Sequence, residues 1–237
     1  MKHSLIPSFL FALLFVVGCD TDRGPRVSGS GNVISESRTL DTFDRIRVKG
    51  STNVVLQQGA TPSLVVEADD NIVPIITTEV RSGELVVSSS QNYRTRNPVT
   101  VYVTTPALQA VRVEGSADVV STTALEGEAL AVEVSGSGNV ELEVYYNELT
   151  VDISGSGDVD VSGEVTTQDV SVVGSGNYRA RNLPSVDCFI DVAGSGDGQV
   201  RVSRLLEVKV TGSGDVIYYG DPEIRSTVSG SGDLKKG

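Results

Sequence analysis

Asparagine and aspartate recur along this chain at nearly even spacing: Asn32, Asn53, Asn71, Asn92, Asp118, Asn139, Asp158, Asn177, Asp197, Asp215 and Asp233. Side chains of these two types either hold backbone N–H groups or gather a hard cation. From Asp118 to Asp197 the two alternate, which keeps like charges apart. Asp197, Asp215 and Asp233 then follow one another without an intervening amide. Carboxylates stacked about 5 Å apart repel unless N–H donors, solvent or a cation lie between them. Two readings follow: a hydrogen-bonded ladder that fixes turns, and a weak Ca²⁺ site at Asp197, Asp215 and Asp233.

Other candidate chemistry is sparse. Tyr93-Arg94-Thr-Arg96-Asn97 and Tyr178-Arg179-Ala-Arg181-Asn182 repeat one basic pattern in an acidic chain of net charge −12. If both leave the same corner, Arg94, Arg96, Arg179 and Arg181 form one patch for an anionic glycan; otherwise they are solvated surface charges. The acidic balance argues against nucleic acid as a partner. The one histidine, His3, lies in an apparent export signal, so Ser-His-Asp, Cys-His and histidine-ligated zinc chemistry are not expected of the mature chain. Carboxylate pairs such as Asp152 with Asp160 leave room for a polysaccharide-processing enzyme, without standing out from an acidic face. Cys188 lies in a strand-like run with no adjacent base and reads as a small core residue.

The elements that must position these groups are set by one repeated phrase. Val134-Ser-Gly-Ser-Gly-Asn-Val140 and Ile153-Ser-Gly-Ser-Gly-Asp-Val159 are its clearest copies. Others begin at Val27, Val172, Val192, Val210 and Val228, and looser ones at Val48 and Val113. From Gly115 to Gly230 the first glycines are 18 to 21 residues apart. The flanking segments alternate apolar and polar residues, as in Leu149-Thr-Val-Asp-Ile153, which reads as strand with one face buried. Glycine permits the sharp turn between them. The chain is therefore expected to be all-β: a right-handed parallel β-helix, with coils of about 20 residues that bury their valines only against neighbours. Weaker copies at Val66 and Val87 bring the expected number of coils to eleven. The alternative is an antiparallel β-sandwich with glycine-rich hairpins. Pro98 and Pro106 bracket Val99 to Val103, which reads as an edge strand. The last coil is expected to leave an open edge, with Lys235 and Lys236 opposing end-to-end pairing.

Residues 1–18 read as a lipoprotein signal peptide. Lys2 precedes an apolar run from Leu5 to Val17, too short for an ordinary membrane span. The run ends Val16-Val17-Gly18-Cys19, which resembles the bacterial lipobox and implies acylation of Cys19. An ordinary secretory signal with a chance cysteine is the alternative. Residues 19–26 form a polar tether. Asp20 after the cysteine resembles an inner-membrane retention signal of some bacteria, so the leaflet stays open.

Residues 27–237 form the expected β-helix domain. The segment VSGSGNVISESRTLDTFDRIRVKGSTNVVLQQG from Val27, with Phe43, Ile46, Gly50, Val54, Gly59 and the segment Glu67-Ala-Asp-Asp-Asn71, resembles the putative auto-transporter adhesin, head GIN domain family. The resemblance implies a β-helical cell-envelope protein and carries no catalytic residue. The reading is of a non-enzymatic envelope lipoprotein, attached to a membrane through its lipid anchor. Its surface would serve adhesion or scaffolding, with a glycan or another envelope protein as partner. No cofactor is expected beyond the Ca²⁺ possibility at the aspartates.

Overall fold

The computed structural model describes residues 26–237. The signal 1–18, Cys19 and the tether up to residue 25 lie outside the described residues. Strands make up 69% of the chain, there is no α-helix among the described residues, and one 3₁₀ turn spans Val73–Ile75. The architecture is a parallel β-solenoid of about seven turns with coils about 19 residues apart. The antiparallel sandwich is not formed.

Each coil is a strand, a glycine corner and a second strand. Ahead of the corner, Arg45–Gly50, Ala110–Gly115 and the ends of Leu125–Gly136, Val140–Gly155, Val159–Gly174, Tyr178–Gly194 and Gly198–Gly212 stack in parallel register, with Glu223–Gly230 last. The register aligns Gly50, Gly115, Gly136, Gly155, Gly174, Gly194, Gly212 and Gly230 in one file. Two positions before each glycine, Val48, Val113, Val134, Ile153, Val172, Val192 and Val210 fill the interior at 0 to 1% exposure. Val228 holds the same position in the last coil and is 42% exposed, because no further coil covers it. Burying a valine stabilises by about 1.5 kcal/mol or more, so each coil depends on the one above.

The corner needs its glycines for two different reasons. Gly136 has φ +130°, and a Cβ there would stand 2.3 Å from Gly115 O. Gly138 needs no positive φ, yet its Cβ would stand 2.1 Å from Ala117 O. This close approach lets Gly115 O accept from both Ser137 N–H (2.8 Å) and Gly138 N–H (3.1 Å). The same pair of bonds recurs up the file, at Gly136, Gly155, Gly174, Gly194 and Gly212.

Residues 27–109 depart from the expected eleven coils. Gly115 stacks directly on Gly50, so the residues between them add no coil to the file. The Val66 segment lies in Ser63–Asp69, which runs antiparallel to both Val33–Arg38 and Thr100–Thr105. The Val87 segment lies in Glu84–Ser89, which forms an antiparallel hairpin with Ile76–Arg81 while stacking under Arg45–Gly50. The first phrase, Val27–Ser28, pairs with Tyr93–Arg94 in a separate two-stranded ribbon. These segments close the N-terminal end of the solenoid as a cap. Thr100–Thr105 is no edge strand. It lies between Asn53–Gln58 and Ser63–Asp69, and the bracketing prolines fall outside it and remove no ladder donor.

Candidate binding face

The Asp/Asn column forms a ladder between coils rather than within each turn. Each side-chain oxygen accepts the backbone N–H of the corresponding residue one coil up. Asp118 N–H donates to Asn53 Oδ1 (3.0 Å), Asp158 N–H to Asn139 Oδ1 (3.2 Å) and Asn177 N–H to Asp158 Oδ1 (2.9 Å). The alternation has a use: Asn139 Nδ2 also donates to Asp118 Oδ1 (2.9 Å), and Asn177 Nδ2 to Asp158 Oδ1 (2.7 Å). Asn32, Asn71 and Asn92 do not join this column, because their segments belong to the cap.

At the C-terminal end the three aspartates are linked by the same N–H bonds, Asp215 to Asp197 (2.8 Å) and Asp233 to Asp215 (2.9 Å). The Lys235 ammonium sits between Asp215 Oδ2 (2.7 Å) and Asp233 Oδ2 (3.3 Å). Lys235, then the N–H of Asp233, holds the Asp215 carboxyl below the usual carboxylate range. No group of three or more His, Cys, Asp or Glu among the described residues is placed to hold a metal ion.

The register of the stack shifts along Tyr178–Gly194, and again opposite Val186, where the coil above carries one extra residue. One extra residue enters relative to the coil below between Asp160 and Ser162, and three residues, 181–183, bulge relative to the coil above. A buried polar chain lies inside this coil. Tyr178 stands in the column that reads Val119, Val140 and Val159 below it, and is fully buried. A buried phenol needs a partner. Its hydroxyl donates to Gln168 Oε1 (2.7 Å), and Gln168 Nε2 donates to Ser185 Oγ (2.9 Å) and Leu183 O (3.3 Å). Gln168 occupies the column of Leu149 and Cys188. The sequence signal for this chain was a tyrosine and a glutamine in two otherwise apolar columns. Cys188 is fully buried, and burial raises its thiol far above its ordinary value, in keeping with a core role.

Outside, the bulge forms an open cleft of about 360 Å³ lined by Glu141, Glu143, Asp160, Arg179, Arg181 and Asn182. Arg179 bridges Asp158 (2.9 Å) and Asp160 (3.1 Å). Burial raises the Asp158 carboxyl, but bonds from Asn177 and Arg179 outweigh it and hold it below the usual range. Arg181 and Arg201 lie over the Tyr219 ring, at 4.8 and 5.5 Å from its centroid, as cation–π partners.

The four sequence-singled arginines do not form one patch. Arg94 and Arg96 line a different cavity, in the cap, of about 550 Å³. Tyr178 stands four coils from Val54 along the stack, roughly 19 Å at the strand spacing, whereas Tyr93 touches Thr52 beside that first coil (3.1 Å). Asp152 and Asp160 are likewise apart: Asp152 stacks between Glu133 and Ser171 ahead of the glycine corner, and Asp160 lies beyond it against Arg179. Burial, then Glu133 and Asp169, raises the Asp152 carboxyl.

The fold is a glycine-cornered parallel solenoid with an open polar flank. Residues 42–222 match the family model described as putative auto-transporter adhesin, head GIN domain, and the chain belongs to that family. A putative adhesin from Bacteroides fragilis has a similar crystal structure, with TM-score 0.84 and 25% identity over 89% of this chain and 100% of that one. Two Parabacteroides distasonis structures share the fold. One is a putative lipid binding protein, with TM-score 0.75 and 24% identity over 90% of this chain and 100% of that one. The other is a putative adhesin, with TM-score 0.73 and 22% identity over the same shares. Among curated proteins none matches this chain.

Proposed function

We propose that this protein is a non-enzymatic lipoprotein of the bacterial cell envelope, acylated on Cys19, that presents the solenoid flank as an adhesive surface for a glycan. The family's adhesin description supports the envelope and surface part of this reading. The observation that carries the binding part is the bulge cleft, where Arg179, Arg181 and Asn182 stand beside Glu141, Glu143 and Asp160. Guanidinium, amide and carboxylate groups in one shallow open site suit the many hydroxyls of a sugar chain.

Residues 19–237 with Cys19→Ser, applied to a glycan array, test the binding reading. Arg179→Gln with Asn182→Ala is expected to lower binding about tenfold, the loss of roughly one charge-assisted bond. Binding unchanged by both substitutions removes the cleft from the account. Turnover of a bound polysaccharide, abolished by Asp160→Asn, replaces the adhesive reading with a polysaccharide-processing one. Acylation is read separately, by incorporation of labelled fatty acid that Cys19→Ala abolishes.

A further inference from the structure

The cations of the described residues divide sharply. Arg38, Arg45, Arg47, Arg81, Arg112, Arg179, Arg204 and Arg225 each pair with a carboxylate. Lys49, Lys209, Lys235 and Lys236 do the same. Arg181 and Arg201 lie on Tyr219. Among the described residues only Arg26, Arg94 and Arg96 have neither partner, and all three are exposed.

All three belong to the ribbon region of the cap: Ser28 pairs with Arg94, and Arg26 immediately precedes the strand Val27–Ser28. Arg94 and Arg96 line the cavity of about 550 Å³ together with Gly29, Ser30 and Gly31. The carboxylate in that cavity, Asp69, is held by neutral donors rather than by an arginine: Oδ2 accepts from Thr95 Oγ1 (2.6 Å) and Oδ1 from Asn97 Nδ2 (2.6 Å). In a chain of net charge −12 the cap thus presents arginines that no carboxylate among the described residues pairs, at the end of the solenoid where the tether enters. Six residues lie between Cys19 and Arg26, so the two are at most roughly 25 Å apart.

We propose that Arg26, Arg94 and Arg96 seat the cap on the anionic phospholipid headgroups of the membrane to which Cys19 is anchored. The proposal rests on the acylation reading for its setting. The patch docks to the phosphates by charge and, with the short tether, stands the solenoid with its Gly230 end away from the lipid. Each arginine at an anionic surface strengthens partition about fivefold, so three together act on the order of 100-fold, and salt weakens the effect.

The test uses residues 19–237 with Cys19→Ser, so that no acyl chain contributes. The buried core runs from Phe43 to Val216, within this span. Co-sedimentation with phosphatidylglycerol-containing vesicles is expected to exceed that with pure phosphatidylcholine, to fall on the order of 100-fold in Arg26→Gln/Arg94→Gln/Arg96→Gln, and to survive Arg181→Gln/Arg201→Gln. Equal binding to both vesicles, or an undiminished triple variant, overturns the proposal. So does competition by millimolar inorganic phosphate at constant ionic strength, which would make the ligand a free anion. Failure of fatty-acid incorporation at Cys19 refutes the anchor while leaving the vesicle result standing.

Discussion

The phrase Val-Ser-Gly-Ser-Gly-Asn occurs both at residues 27–32 in the cap and at residues 134–139 in the stack, and it folds differently in the two places. In the stack the first glycine, Gly136, takes the positive φ; in the cap it is the second, Gly31, at φ +87°. A Cβ on Gly31 would meet nothing within 4 Å, whereas one on Gly136 would meet a carbonyl of the coil below. The cap copy is held by side chains instead. Ser30 Oγ donates to Asp70 Oδ1 (2.6 Å), Asn32 Nδ2 to Asp70 Oδ2 (3.0 Å), and Ser30 N–H to Asn71 Oδ1 (2.9 Å). The same six residues therefore make a corner of the stack over Gly115 at 134–139, and a turn held by side chains in the cap at 27–32.

The largest expected effect tests that contrast directly. Gly136→Ala should cost about 3 to 5 kcal/mol through combined backbone strain and overlap, and Gly31→Ala only about 1 kcal/mol. Urea unfolding measures both, and equal costs would erase the distinction between the two copies. Next comes the break in the stack. Gln168→Leu leaves the Tyr178 hydroxyl unpaired and should cost about 2 kcal/mol, most of it restored when Tyr178→Phe is added. A double-mutant cycle with no coupling would show that the buried bond contributes nothing of its own.

The pH response is smaller. The Asp158 carboxyl is lowered in the folded state. Its contribution is therefore fully present above the unfolded carboxylate value of about 4 and is lost as pH falls through the lower folded value. Asp158→Asn should flatten the acid limb of stability against pH below about 4, read by chemical unfolding across that range. An unchanged limb would exclude the ladder from acid sensitivity. Smallest of all, Asp69→Asn should loosen the ribbon alone. Amide exchange at Gly29, whose N–H bonds Arg94 O, should quicken while Val151 in the stack stays protected. Equal loss at Val151 would make cap and stack one cooperative unit.

From Gly115 onward the solenoid was legible because period, glycine and valine columns all agree there. The cap was not, since Val66 and Val87 copy the alternation of a coil while Asp70 and Asn71 hold residues 28–32 and Asp69 holds Thr95 and Asn97. The candidate site was half legible. Arg179 and Arg181 were visible as charges, but their separation from Arg94 and Arg96 depends on how many coils intervene. Gln168 escaped notice because a single polar residue in an apolar column becomes meaningful only once Tyr178 is known to face it.

The corner built from one carbonyl receiving two amides of the next turn is the same from Gly115 to Gly212. A tandem duplication of one 19-residue unit would find matching donors, acceptors and valines on both sides. It would lengthen the protein by one strand spacing, about 4.8 Å, leaving the lower end untouched. The molecule is in this sense a ruler whose graduations evolution can add or remove one at a time, setting how far its tip stands from its base.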